Sequence, residues 1–260
     1  SMYHQFKDLA DVDITAGPME VGPTGHYSMG GVRVEAETAM SCVPGLFACG
    51  EVAGGMHGAN RLGGNSLSDL VVFGRRAGLA AAEFAKKNPS LKIDEKEIQS
   101  AEKEMTTYFE NTGDNPYTVH MELQELMQAN VGIFRVEEDI QKAISGLGKI
   151  KEKAKNLRIE GSRMYNPGWH MANDLQNMIM YAEAIAKCAS MRKESRGAHS
   201  RLDFPNPNPE DAVWNSLVKK GSNGEMIVEK IPVIQMPLDL KGVLKDDQER
   251  VSKYSNLLNK

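Results

Sequence analysis

The chain is poor in cysteine, poor in aromatics and nearly balanced in charge, and each shortage excludes something. Its three cysteines, Cys42, Cys49 and Cys188, form no CxxC pair. Neither a disulfide framework nor a zinc site is expected from them, and they read as reduced thiols of a cytoplasmic-type compartment. Lys and Arg total 31 against 35 Asp and Glu, a formal net charge of -4. No stretch gathers basic residues beside aromatics, so nucleic acid is not an expected partner. No run approaches the ~18 consecutive apolar residues of a membrane span, and the first residues lack the basic, apolar and small-residue order of a signal peptide. What remains, 41% hydrophobic and 25% charged over 260 residues, is an ordinary globular composition with room for one large domain or two modest ones.

Glycine and short apolar runs concentrate in the part of the chain that ends near Phe73, a pattern of strands and tight loops. Tyr27 to Val34 is expected to be a strand interrupted at Gly30-Gly31, and Gly45 to Gly50 a short buried strand ending at a glycine. A buried helix should follow from about Asn65 to Lys87, because Leu70 to Phe73 is apolar on all sides. Gly74, Ala77, Gly78, Ala81 and Ala85 would let it pack closely. At Asp94 the period becomes helical, opening with Asp94 and Glu97 at capping-box spacing. Apolar stripes then run through Ile98, Ala101, Met105 and Phe109, through Val119, Leu123 and Leu126, and through Val136, Ile140, Ala143, Leu147, Ile150, Ala154 and Leu157. A last stripe, within Trp169 to Arg192, uses Ala172, Leu175, Ile179, Ala182, Ile185 and Ala189. Such stripes need partners, and an antiparallel bundle provides them. Pro205, Pro207 and Pro209 end it, and Met226 to Val233 reads as strand. The fold class is α+β: strands and a buried helix, then an antiparallel helical bundle, then a small β-containing tail.

The densest unusual chemistry lies in residues 50–67, where glycines at 50, 54, 55, 58, 63 and 64 surround Glu51, His57 and Arg61 ahead of a helix. Glycine lets backbone approach a ligand closely. Asn65 or Ser66 can cap the helix, whose unpaired N–H groups and positive dipole end would stabilise a phosphate or an electron-rich flavin. An acid after a buried strand is where nucleotide-binding folds hold a ribose hydroxyl, which suits Glu51. The planar fork of Arg61 suits a substrate carboxylate. The same residues also allow a glycine-rich surface turn with a solvated arginine, and His26 and His57 allow structural, hydrogen-bonded histidines.

Three strings carry a family resemblance: Pro-Met-Glu-Val-Gly-Pro-Thr-Gly-His-Tyr-Ser-Met-Gly-Gly at 18–31, Pro-Gly-Leu-Phe-Ala-Cys-Gly-Glu at 44–51, and His-Gly-Ala-Asn-Arg-Leu-Gly-Gly-Asn-Ser-Leu at 57–67. With Glu-Leu-Gln-Glu-Leu-Met at 122–127 and Glu-Ser-Arg-Gly-Ala-His-Ser-Arg-Leu-Asp-Phe-Pro at 194–205, the chain closely resembles the flavoprotein subunit of succinate dehydrogenase and fumarate reductase. L-aspartate oxidase shares much of the pattern. The resemblance implies that His26 and Arg61 bind the dicarboxylate, that Glu51 contacts the FAD ribose, and that Asn65, Ser66 and Leu67 lie at the flavin ring. It places Ser195, Arg196 and His199 in a structural or interface role.

Members of that family begin with a strand, a GxGxxG turn and a helix that hold the FAD pyrophosphate, and none of these occurs in this sequence. The chain is therefore expected to be a C-terminal portion, inactive alone and binding FAD weakly or not at all. Its parts would be the end of a capping domain (1–30), the last segment of the FAD-binding domain (31–90), the helical bundle (91–204) and a tail with short strands (205–260). The implied function is interconversion of succinate and fumarate. An iron–sulfur subunit would be the electron partner, through which the chain sits peripherally on the inner face of a membrane. Alternatives are a non-catalytic module that docks partner subunits, or a portion of an L-aspartate oxidase.

Overall fold

The chain divides into two units, Ser1–Leu91 and Lys92–Lys260, in a computed structural model that describes residues 2–22, 25–89, 93–238 and 240–242. Pro23 and Thr24 of the 18–31 motif, residues 90–92 at the unit boundary, and the tail from residue 243 lie outside the described residues.

The first unit opens with helix α1 (Met2–Ala10), none of whose residues is buried. Two short strands, β1 (Val32–Arg33) and β2 (Ala53–Gly54), pair in parallel, with Val32 opposite Ala53. The long strand expected from Tyr27 is therefore two residues, because β2 offers only two residues for pairing and Gly30 and Gly31 both take positive φ. Gly45 to Gly50 likewise contributes a single bridge, Phe47 to Met40, before the chain coils into a 3₁₀ turn at Gly50–Val52. Between the strands, Glu35 accepts hydrogen bonds from the Glu37 and Thr38 amides, closing a turn around buried Ala39.

Helix α2 (Asn65–Lys87) has the expected limits, but its cap differs. The N-cap residue is Gly64, in the left-handed region at φ 83°, and it makes no side-chain cap bond; Asn65 and Ser66 are already helical. A glycine stands there because the loop must turn through positive φ, which an Asn or Ser cap in the β region cannot do. The helix is also less covered than its composition suggests. Asp69 and Ala77 are its buried residues, while Leu70, Val71, Val72 and Leu79 are exposed. Within the first unit it is met by the 50–52 turn, Phe47 and His57, and at Arg76 by the Ala36 carbonyl and Glu37.

The second unit is built on helix packing. Helix α3 (Glu95–Thr106) is capped by Asp94, whose carboxylate accepts the Lys96 amide. It leads to α4 (Pro116–Val131), α5 (Glu137–Ala154) and α6 (Pro167–Met191), and α4, α5 and α6 pack on one another. Lys153 near the end of α5 pairs with Glu122 near the start of α4, so these two run antiparallel. Gln141 meets Ser190 at one end of the α5–α6 contact and Gln176 reaches the Ala154 carbonyl at the other, so that pair is antiparallel too. The stripes read from sequence form one core containing Val119, Leu123, Ala143, Leu147, Ile150, Ala154, Leu157, Ala172, Leu175, Ile179 and Ala182.

After α6 the chain forms a dense polar network. Strand β4 (Ser200–Arg201) pairs in parallel with β3 (Phe134–Arg135). Arg201 is fully buried, held by Asp203, Glu137 and the Ala189 carbonyl. Glu194, also fully buried, accepts from Arg192, Arg196 and the Asn208 amide. Burial alone would raise its pKa; these donors overcome that and hold it at about 2. Ser195, Arg196 and His199 all lie within this network. A hairpin of β5 (Trp214–Lys220) and β6 (Met226–Pro232) completes the unit and packs on α6.

Candidate functional site

The parallel pair β1–β2 lays segment 26–31 beside segment 50–54 at very short range. A Cβ at Gly31 would collide with the Val52 carbonyl, and one at Gly54 would press on the Gly31 backbone; two side-chain-free residues permit this approach. Glu51, exposed at the crossing, fastens it by accepting the Ser28 amide at 2.8 Å. A carboxylate has about four lone-pair sites, so Glu51 keeps capacity for a further donor.

Four side chains cluster next to this crossing. The Arg61 guanidinium lies 4.8 Å from the centre of the Tyr27 ring. His57 meets the same ring edge-on, at 6.0 Å between centroids and 81° between planes. Its Nε2 lies 3.1 Å from Oδ2 of Asp69, a carboxylate in the second turn of α2 whose side chain is 5% exposed. Desolvation, then the charges of Asp69 and Glu51, push the Tyr27 phenol above its usual pKa, while Arg61 pulls the other way. Arg61 is half-buried, and its Nε is shut off from water with no hydrogen-bond partner. A desolvated charged donor without an acceptor costs about 1–3 kcal/mol or more, so a small shift of this side chain that gave it an anionic acceptor would be favourable.

The residues singled out from sequence are thus placed unequally. Arg61 lies over the Tyr27 ring, Glu51 binds the amide of the next residue, Ser28, and His26 is exposed beside Tyr27 in the chain. Asn65, Ser66 and Leu67 form the first turn of α2, with Leu67 and Asn65 exposed and Ser66 half-buried. That turn has no side-chain cap; the Asn65 and Leu67 amides donate to the Leu62 and Gly64 carbonyls, and the positive dipole end still favours a ligand of negative charge or high electron density. Sequence reasoning misses Tyr27 and Asp69. Tyr27 stands inside a motif that carries the resemblance, and Asp69 could be found only as the single acid in the apolar opening of α2.

A glycine-lined crossing, an acid next to it and a helix end without a side-chain cap are the features with which flavin- and nucleotide-binding folds hold their ligands. The description "FAD binding domain" matches residues 1–67, and "Fumarate reductase flavoprotein C-term" matches residues 120–247. The chain belongs to the succinate dehydrogenase and fumarate reductase flavoprotein family. It is 34% identical over 223 residues to the fumarate reductase flavoprotein subunit of Haemophilus influenzae, covering 83% of this chain and 37% of that one. It is 34% identical over 240 residues to the succinate dehydrogenase flavoprotein subunit of Rickettsia conorii, covering 87% and 40%. Among solved structures, Sdh1 of Mycobacterium smegmatis in complex with UQ1 superposes with a TM-score of 0.86 at 46% identity, over 94% of this chain and 42% of that one. The chain spans about two fifths of the length of the curated relatives it matches.

Proposed function

We propose that this chain carries the dicarboxylate-binding and flavin-ring portion of an FAD-dependent oxidoreductase that interconverts succinate and fumarate, and that these 260 residues are inactive alone. The observation that carries the reading is the desolvated, partnerless Nε of Arg61 on the face of Tyr27. An arginine fork offers parallel N–H donors that match a carboxylate. Arg61 would bind one carboxylate of the substrate, and His26, on the exposed segment beside Tyr27, the other. Two fixed carboxylates orient the carbon between them, and orientation of this kind is worth several kcal/mol of barrier.

FAD, when bound, supplies the hydride acceptor or donor. Glu51 would hold its ribose through the carboxylate capacity left beside the Ser28 amide. Asn65, Ser66 and Leu67 would face the flavin ring, where the positive end of α2 favours electron-rich states. Residues 1–30 and 31–90 would belong to the capping and FAD-binding domains, 91–204 to the helical domain and 205–260 to a tail. An iron–sulfur subunit is the proposed electron partner and the link to a membrane. No helix of the described residues is long and apolar enough to cross one.

Two substitutions in the flavin-loaded protein that contains this chain separate the roles. Arg61→Lys keeps the charge and loses the fork, so turnover of fumarate or succinate should fall severely while flavin stays bound. Glu51→Ala should lower flavin content first. An Arg61→Lys protein emptied of flavin, or one fully loaded with near-normal turnover, contradicts the assignment of Arg61 to the substrate.

A further inference from the structure

The site contains a buried histidine–carboxylate contact that substrate and flavin binding leave unused. Asp69 and His57 are 5% and 12% exposed at the side chain, and their contact joins the glycine-rich loop to the second turn of α2. A carboxylate buried this far is costly unless it is paired. His57 donates from Nε2, which in the neutral ring leaves Nδ1 as the acceptor nitrogen.

The consequence runs outward through three contacts. Asp69 fixes the His57 ring at 3.1 Å. The His57 ring stands edge-on to Tyr27, and the opposite end of the series is the Arg61 guanidinium over the Tyr27 ring. Gly55, Gly58 and Gly64 in the same loop all sit at positive φ, so the loop backbone alone has little stiffness to aim an arginine. Helix α2 does, and Asp69 belongs to it.

We propose that His57 and Asp69 are a positioning pair: anchored on α2, they set the plane of Tyr27 and thereby aim the Arg61 fork at a dicarboxylate. This rests on the assignment of Arg61 to the substrate, and neither residue touches substrate or flavin in it. Removing the pair should weaken dicarboxylate binding while flavin stays in place.

The probe is malonate, an unreactive dicarboxylate, titrated into the flavin-loaded protein and followed by the change in flavin absorbance. Kinetic constants for fumarate and the melting temperature are measured alongside. His57→Phe keeps a flat ring and loses the donor; its malonate Kd should rise about tenfold or more, and its KM for fumarate should rise with it. His57→Gln retains a side-chain N–H for Asp69 but has no ring to meet Tyr27, so its melting temperature should stay near the parent's while its malonate Kd rises with that of His57→Phe. If His57→Phe does not accumulate, Asp69→Asn, of the same shape without the charge, is read in the same titration with the same tenfold expectation.

A merely structural role predicts a lower melting temperature or lower flavin content with unchanged malonate affinity in the loaded fraction. That result overturns the positioning role and leaves Arg61 as the substrate residue, provided Arg61→Lys loses malonate. If Arg61→Lys binds malonate as the parent does, or the parent does not bind it, the functional assignment fails and the positioning role fails with it.

Discussion

Glu194 offers a perturbation whose size follows from the structure. Its carboxylate is fully buried between two arginines: Arg192 Nη1 at 2.6 Å, Arg196 Nε and Nη2 at 2.9 and 2.8 Å, with the Asn208 amide at 2.7 Å. A folded pKa near 2 against an ordinary 4.5 corresponds to stabilisation on the order of 3 kcal/mol. Because the folded value is the lower one, that stability is present above pH 4.5 and is lost as pH falls toward 2. Glu194→Gln keeps the shape and removes the anion, leaving two half-buried guanidiniums without their carboxylate, so the loss at pH 7 should be about 3 kcal/mol. Both tryptophans of the sequence, Trp169 and Trp214, belong to the helical unit, and Trp214 lies against Arg192. Urea unfolding followed by tryptophan fluorescence therefore reads the affected unit. The gap between parent and variant should be full at pH 7 and shrink between pH 5 and pH 2. A loss under about 1 kcal/mol at pH 7, or a gap that stays constant across that acid range, refutes the reasoning.

Two further predictions test the scaffold. Leu147 is 2% exposed on α5, between α4 and α6, so Leu147→Ala should cost about 2–5 kcal/mol; a loss below half a kcal/mol in urea melts speaks against the packing described. At Gly31, φ is 155° and a side chain would meet the Val52 carbonyl, so Gly31→Ala should open the β1–β2 pair at a cost of about 1–3 kcal/mol. Hydrogen exchange at the amides bonded between β1 and β2 measures it, with the Ala53 amide, which donates to the Gly50 carbonyl, as the internal reference; undiminished protection across the pair would count against the close crossing.

The helices are legible in the sequence because burial imposes a period. The spacing of Ile140, Ala143, Leu147, Ile150 and Ala154 reaches the core as read, as does that of Ala172, Leu175 and Ile179. The short strands are not, because a two-residue parallel pair leaves no alternation to detect, whereas the seven-residue β6 falls on the expected Met226 to Val233. The cap of α2 falls one or two residues before the expected position, since the need for positive φ at Gly64 outweighs the capping preference of Asn65 and Ser66. In the site, Arg61 and Glu51 stand out through their glycine setting. The His57–Asp69 contact joins residues twelve apart across a loop-to-helix junction, and Tyr27 lies far upstream. Only tertiary structure brings these together. The charged run Arg192 to Arg201 has the composition of a solvated surface, yet Glu194 and Arg201 are fully buried; pairing between opposite charges, which composition does not encode, makes that burial tolerable.

The central claim is that Arg61 receives a substrate carboxylate, and the most direct measurement is a crystal structure of the flavin-loaded protein with malonate bound. The account predicts one malonate carboxylate within about 3 Å of the Arg61 guanidinium, the other against His26, and Arg61 still lying on the Tyr27 face as it does here. Malonate bound away from Arg61, or an Arg61 side chain turned to protein acceptors with its Nε satisfied, would contradict it.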